Sequence, residues 1–329
     1  MPTSAVFPKA RAQAGMYESF YLRAVSPEEP VGVWIRHTVS KPAGQSPTGS
    51  VWCTVFDAGR GRPFMHKVSG GGLSVPAGGW IDVDGARMTP AAAEGECGPA
   101  RWSLRFASEE PELRHLPREW LYRAPFPRTK LTSPAPAARF DGQVQVPGRG
   151  PIELSDWPGM VGHNWGSEHA ERWIWLHGIC FSEEPRAWID VALGRLKVAG
   201  RMTPWVANGA LSLGGRRYRI AGIGRRELRV SETAEGCVMQ LSGKRGLWVR
   251  ASVEVPRLAA AGWRYCDPDG GKRGEHDVIN CSVAALELTV RLPGQTVSRT
   301  LRTAHGAAYE LGLREHDHGV PLAPFADGG

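Results

Sequence analysis

Along this chain apolar and polar residues alternate with a period of two in many short runs, and a period near 3.6 is never sustained for long. Runs of this kind cover 17–23, 31–39, 49–56, 102–106, 173–181, 188–193, 205–213, 217–220, 237–241, 247–255 and 286–292. They are rich in Val, Ile, Trp and Tyr and are bounded by Gly, Pro and Asp, which predicts many short strands joined by turns. The 41 Gly and 26 Pro are spread along the chain in keeping with that. The clearest hairpin is 210–218, with Gly214-Gly215 as a two-residue loop. Helix candidates are few. Residues 91–96 form one, and 304–313 another that is weakened by Gly306 and Gly312. The segment 125–150, rich in Pro, predicts an extended stretch over the surface, because proline cannot donate to a strand ladder. The pattern predicts an all-β chain of sandwich or barrel type.

The chain has 329 residues, enough for two domains of about 150 residues each. An internal similarity supports two. Glu18-Ser-Phe-Tyr-Leu-Arg, followed by Ser26-Pro-Glu-Glu-Pro and Trp34-Ile35, is matched by Glu171-Arg-Trp-Ile-Trp-Leu, then Ser182-Glu-Glu-Pro and Trp188-Ile189. The offsets are 171 − 18 = 153 and 183 − 28 = 155. We therefore expect two β domains of one ancestry, at 1–160 and 161–329, with chance similarity as the alternative.

The net charge of +7 changes this picture little. The densest basic runs, 216–219 and 225–229, alternate with apolar residues as solvated strand faces do, so no nucleic-acid partner is expected. The charge suits an anionic substrate or contact with an acidic membrane surface. Six cysteines show no C-x-x-C spacing and are too sparse for a disulfide framework. With neither a leader-like start nor a run of about 18 apolar residues, the expected location is the cytoplasm. The oligomeric state stays open.

Candidate chemistry concentrates at 160–178. Three of the ten His and three of the 13 Trp fall within 163–177. Alternation from Arg172 puts Trp173, Trp175 and His177 on one face and Ile174 and Leu176 on the other. Gly162 and Gly166 flank His163-Asn164-Trp165, which predicts a tight turn. His163 and His169 can exchange a proton near neutral pH. Glu168 or Glu171 can orient a histidine or serve as an acid whose pKa an apolar pocket raises. Trp165, Trp173 and Trp175 offer apolar contact with one N–H donor each. The plainer alternatives are that the indoles are core, that His163 and Asn164 satisfy turn backbone, and that Glu168 and Glu171 pair with Arg172. His163-x4-Glu168-His169 lacks metal-ligand spacing, and His316-Asp317-His318 reads as a chain terminus, so no metal is expected. G-x-S-x-G, P-loop and dinucleotide motifs are absent from the sequence.

On these residues the sequence resembles the AttH-like and hydroxyneurosporene-synthase-like proteins, and more distantly the tocopherol cyclases. The resemblance rests on Tyr17-Glu-Ser-Phe-Tyr-Leu-Arg with Trp34-Ile-Arg, and on Gly162-His-Asn-Trp-Gly followed by Trp173-Ile-Trp. It spans nearly the whole chain. Relatives often carry a further His or Asp just before the motif, where this chain has Val161-Gly162. The resemblance implies two lipocalin-like antiparallel β-barrel domains with a pocket for an apolar, isoprenoid- or polyketide-like molecule. It also implies acid–base hydration, cyclisation or isomerisation without a cofactor. His163 or Glu168 is then the proton donor and Asn164 the orienting group, with Trp165, His169, Trp173, Trp175 and His177 lining the pocket. The alternatives are a non-catalytic carrier of a hydrophobic metabolite and a purely structural module.

Overall fold

A computed structural model describes residues 3–223, 228–269, 274–315 and 318–323. Two large antiparallel sheets divide the chain between them. In space the first runs Phe64–Gly70, Thr48–Asp57, Val31–Lys41, Met16–Val25, Ile152–Gly166, Thr129–Gln145, Ala100–Ala107, Ala92–Cys97, and then three short strands. The second runs Arg216–Ile223, Val206–Leu213, Trp188–Arg195, Arg172–Gly178, Arg299–Leu313, Glu275–Arg291, Trp248–Glu254, Gly236–Ser242 and Arg229–Thr233. The order is the same in both, counted from the first strand of each half. The chain crosses between sheets at 167–171, and Gly214 and Gly215 turn the 206–223 hairpin at φ of 61° and 68°. The all-β lipocalin-like architecture expected from the sequence is what the structure has.

Each sheet curls round its own apolar core. In the first, Val83 lies against Gly49 and the Cys97 thiol donates to Val51 O at 3.2 Å, so the far strands return to the near ones. Phe20, Leu22, Ile35, Trp80, Met88 and Phe140 fill the space enclosed. In the second, a bridge between Ile220 and Gly243 brings the ends together round Ile174, Leu176, Leu211, Met239 and Tyr309. The outer faces of the two central regions pack on each other. Trp34 and Trp52 of the first sheet belong to the apolar cluster of the second, and Trp52 meets Trp263 edge-on at 4.9 Å.

Four local expectations are corrected. His163-Asn164-Trp165, expected as a tight turn, is the end of the strand Ile152–Gly166 and pairs in continuous register with Met16–Val25. Of residues 91–96, all but Ala91 lie in the strand Ala92–Cys97, and 304–313 lie in the strand Arg299–Leu313. Gly312 sits in that strand because the Trp173 ring occupies the space of a side chain there, 2.1 Å from where a Cβ would be. The proline-rich 125–150 segment is mostly the long strand Thr129–Gln145, inside the sheet. Its Pro134 and Pro136 fall within register shifts, where no ladder donor is required. Residues 225–227 of the second basic run, and His316 and Asp317, lie outside the described residues.

Candidate active site between the sheets

Strand alternation and cross-strand register assemble one row on the outer face of the first sheet: Gly162, Tyr21, Arg36, Trp52 and Lys67 are successive neighbours on five strands. The second sheet presents Trp173, Trp175 and His177, flanked by Asp190 on one side and by Ala308 and Glu310 on the other. The Tyr21 ring meets Trp175 edge-on at 5.4 Å. Gly162 gives Tyr21 its place, since a Cβ there would lie 2.1 Å from the phenol ring.

Two carboxylates stand in this contact. Asp190 is fully buried. Its Oδ1 accepts from Trp175 Nε1 at 3.0 Å and faces His115 Nε2 at 3.2 Å, and its Oδ2 accepts from Ser133 Oγ at 2.5 Å. Burial raises its carboxyl, but His115 and the Ser133 hydroxyl outweigh that and hold it well below the usual carboxylate range. Ser133 reaches it from the register shift beside Pro134. Glu310 is half-buried and so reaches solvent. Its Oε1 accepts from Trp173 Nε1 at 2.9 Å, and its Oε2 from Tyr265 Oη and Asn280 Nδ2, both at 3.1 Å. The Tyr21 hydroxyl makes no hydrogen bond among the described residues. Burial drives its phenol pKa well above the ordinary value, and the charges of Asp190 and Glu310 drive it further, so the hydroxyl keeps its proton. A hydrogen-bond donor and two carboxylates thus converge beside two indoles where the sheets pack on each other.

The predicted site residues are distributed differently. His163 faces the packed interior of the first sheet, stacked on Phe20 at 4.1 Å and on Trp165 at 4.6 Å. Its Nε2 is 2.7 Å from Glu18 Oε1, and that buried carboxylate also accepts from Val6 N at 2.8 Å and Phe7 N at 2.7 Å. The pair ties down the N-terminal segment and is closed to a substrate. Glu168 lies partly exposed against Arg128 and Arg314. His163 and Glu168 therefore do not form a common acid site. Asn164 does share the face of Tyr21, next to Ser19 in register, with its buried Oδ1 unpartnered. Trp165, on the other face, leans on Tyr122 at 5.9 Å. His177 has the geometry of a structural tie: its Nδ1 accepts from Arg23 NH1 at 2.8 Å and its Nε2 donates to Pro136 O at 2.9 Å.

His169 forms a separate cluster. Asp267 Oδ1 accepts from its Nδ1 at 2.7 Å and its backbone N at 2.8 Å, and Asp267 Oδ2 lies 3.3 Å from His276 Nε2. The ligand atoms of His169, Asp267 and His276 come within 4.8 Å of one another, the geometric minimum for holding a metal. Arg314 NH2 already stands 3.6 Å from Asp267 Oδ2 and 3.5 Å from His276 Nε2, and supplies a cation there. A groove of about 650 Å³ lies elsewhere, walled by Pro63, Met65, Val255, Leu258 and Val320, and includes no predicted site residue.

Sequence reasoning missed Tyr21, Arg36, Asp190 and Glu310. A signal existed for the two acids. Each is a single charge inside an apolar strand, Ala187-Trp-Ile-Asp-Val-Ala-Leu and Ala307-Ala-Tyr-Glu-Leu-Gly-Leu.

No family model matches the chain. An uncharacterized protein of Mycobacterium tuberculosis, from two strains, is 28% identical over 333 residues, covering 94% of this chain and 90% of its own length. Three solved structures share the fold over almost the whole length. A Nitrosomonas europaea protein provisionally named AttH has a TM-score of 0.54 at 14% identity, covering 95% of this chain and 99% of that one. Kievitone hydratase of Nectria haematococca has 0.54 at 8%, covering 95% and 93%. CghA has 0.60 at 12%, covering 96% of each chain. In fold the chain is AttH-like, and the architecture is one on which a hydratase is built.

Proposed function

We propose, from a fold that a hydratase shares, that this chain is itself an acid–base enzyme of the hydratase type. It works without a cofactor on a largely apolar small molecule held between its two sheets. This moves the pocket from a barrel interior, which Phe20, Trp80 and Phe140 occupy, to the crevice at Tyr21. The observation that carries the reading is the convergence of the Tyr21 phenol with Asp190 and Glu310 beside Trp173 and Trp175.

Adding water to a carbon–carbon double bond needs a proton taken from water, a C–O bond formed, and a proton delivered to the neighbouring carbon. A phenol this weakly acidic donates a hydrogen bond far more readily than it protonates carbon. The site therefore suits a double bond activated by an attached oxygen function, whose developing negative charge Tyr21 stabilises. Glu310, which reaches solvent, accepts the proton from water and returns it to carbon. Asp190, sealed by Ser133, Trp175 and His115, fixes the indole and sets the local field. A carrier of a hydrophobic metabolite, the rival reading, has no need of a buried and a half-buried carboxylate beside a protonated phenol.

The test is incubation of the chain with an apolar cell extract in heavy-oxygen water, followed by mass spectrometry for products one labelled water heavier than a precursor. Wild type is expected to label such a product. Tyr21→Phe and Glu310→Gln are expected to lower its rate by roughly a hundredfold or more, the usual size of a general acid–base contribution. Absence of labelled product from wild type, or undiminished labelling in both folded variants, overturns the proposal.

A further inference from the structure

We infer that the molecule bound in this crevice carries an anionic oxygen group, a carboxylate or ionised enol on an apolar body, and that Arg36 receives it. The inference rests on the same site as the proposed function and names its substrate class.

Arg36 is 5% exposed, and its place is set by its neighbours. Its Nε donates to Ser19 Oγ at 2.7 Å. Its guanidinium carbon lies 4.0 Å from the centre of the Tyr265 ring, 5.5 Å from that of Trp52 and 6.0 Å from that of Trp34. The aromatic faces fix the plane of the group and lower the cost of its burial. They do not satisfy its donors. NH1 is buried and without a hydrogen-bond partner. Among the described residues no carboxylate comes within ion-pair distance of Arg36. Burying a guanidinium with an idle donor is costly, and the cost is recovered when an anionic acceptor arrives.

The surroundings agree. Arg36 is the cross-strand neighbour of Tyr21, so an anion on NH1 places the rest of a ligand beside the phenol. The next positions in the row are Trp52 and Lys67, whose Nζ lies 4.2 Å from the Trp52 ring centre. Asp190 and Glu310 lie on the opposing sheet, where they repel an anion and orient it toward Arg36. Asp267, another buried carboxylate, is taken up by His169, His276 and Arg314. Arg23, the other buried guanidinium of the contact, already spends NH1 and NH2 on His177 Nδ1, Gly306 O and Ser282 O, and only its Nε is left, buried and without a partner.

The experiment is a binding titration, read by tryptophan fluorescence, with dodecanoate and its methyl ester as a matched pair. Wild type is expected to bind the acid at least about tenfold more tightly than the ester, the ratio a charge-assisted hydrogen bond supplies. Arg36→Met is expected to abolish that ratio while leaving ester affinity within about twofold. Should Arg36→Met fail to fold, Arg36→Lys, which keeps the charge and loses the planar fork, is expected to reduce the ratio by several-fold. Equal binding of acid and ester by wild type overturns the inference, as does a preference undiminished in the folded variants. The titration is repeated with Glu310→Gln. Acid preference retained there, with no labelling by wild type, leaves the anion subsite standing and rejects the hydratase reading; labelling by wild type without acid preference does the reverse.

Discussion

Acid should unfold this protein through two histidines that have no part in the crevice chemistry. His37 and His177 are both fully buried, and burial lowers each from an ordinary 6.5 to about 4, with Arg23 adding to the effect on His177. Arg23 carries donors only, so the hydrogen bond at His177 Nδ1 requires the neutral ring with its proton on Nε2. Between pH 6.5 and 4 the unfolded chain therefore binds protons that the folded chain refuses, and stability falls as the pH falls. The shift of 6.5 − 4 = 2.5 corresponds to on the order of 3 kcal/mol for each histidine, at about 1.4 kcal/mol per pH unit. His169, also lowered by burial, adds to the same slope. Asp190, held down to about 2, stays ionised throughout this window and contributes only below it. The assay is urea unfolding followed by tryptophan fluorescence at half-unit steps from pH 7.5 to 4.5. Wild type should lose several kcal/mol over that range, and His177→Gln should lose about 2–3 kcal/mol less. Stability that is flat from pH 6.5 to 4.5, or equal slopes in wild type and variant, would refute the reasoning.

Two further substitutions separate the crevice from the packed interior. Gly162→Ala puts a methyl into the Tyr21 ring, so the phenol must move; heavy-oxygen labelling should drop at least about tenfold for a stability loss of about 1–3 kcal/mol in urea. Glu18→Gln weakens the hold on Val6 and Phe7, and hydrogen exchange by mass spectrometry should show faster exchange at the N-terminal segment with labelling activity unchanged.

The fold was legible because period-two alternation and turn residues are local signals, and each of the long strands carries both. The repeat was half legible. Equal bulges, at Thr132/Ala135 opposite His163/Val161 and at Cys281/Ala284 opposite Tyr309/Ala307, align the two sheets independently of sequence. That alignment sets Arg36 level with Asp190, an offset of 190 − 36 = 154, which is also the offset from Trp34 to Trp188. On the first strand it sets Phe20 level with Leu176, so matching Phe20 to Trp173 by sequence was out of register by three residues and placed a core side chain against a crevice one. The site was less legible for a different reason. His163-Asn164-Trp165 is conspicuous in composition, but strand alternation sends His163 inward to Glu18 and only Asn164 to the crevice. Asp190 and Glu310 are inconspicuous single acids, and they become a pair only when Arg172–Gly178 is threaded between their strands.

The same register explains how two copies of one architecture make a polar crevice. Tyr21, Arg36 and Asn164 of the first sheet stand where His177, Asp190 and Glu310 stand in the second. Had the faces stayed alike, packing them together would have set like charge against like charge in a water-poor contact, at a cost that grows as the dielectric falls. Here the first face carries the guanidinium and neutral donors, and the second carries both carboxylates. The field across the contact thus runs in one direction, from the guanidinium of the first sheet to the carboxylates of the second. Inside each sheet the equivalent positions, Phe20 with Leu176 and His163 with Tyr309, only have to fill space or tie down a segment. Fold and site therefore depend on different residues of the same strands. Structures at 8–14% identity share the fold and say nothing of these side chains, so the proposed activity has to be tested at Tyr21, Arg36, Asp190 and Glu310 themselves.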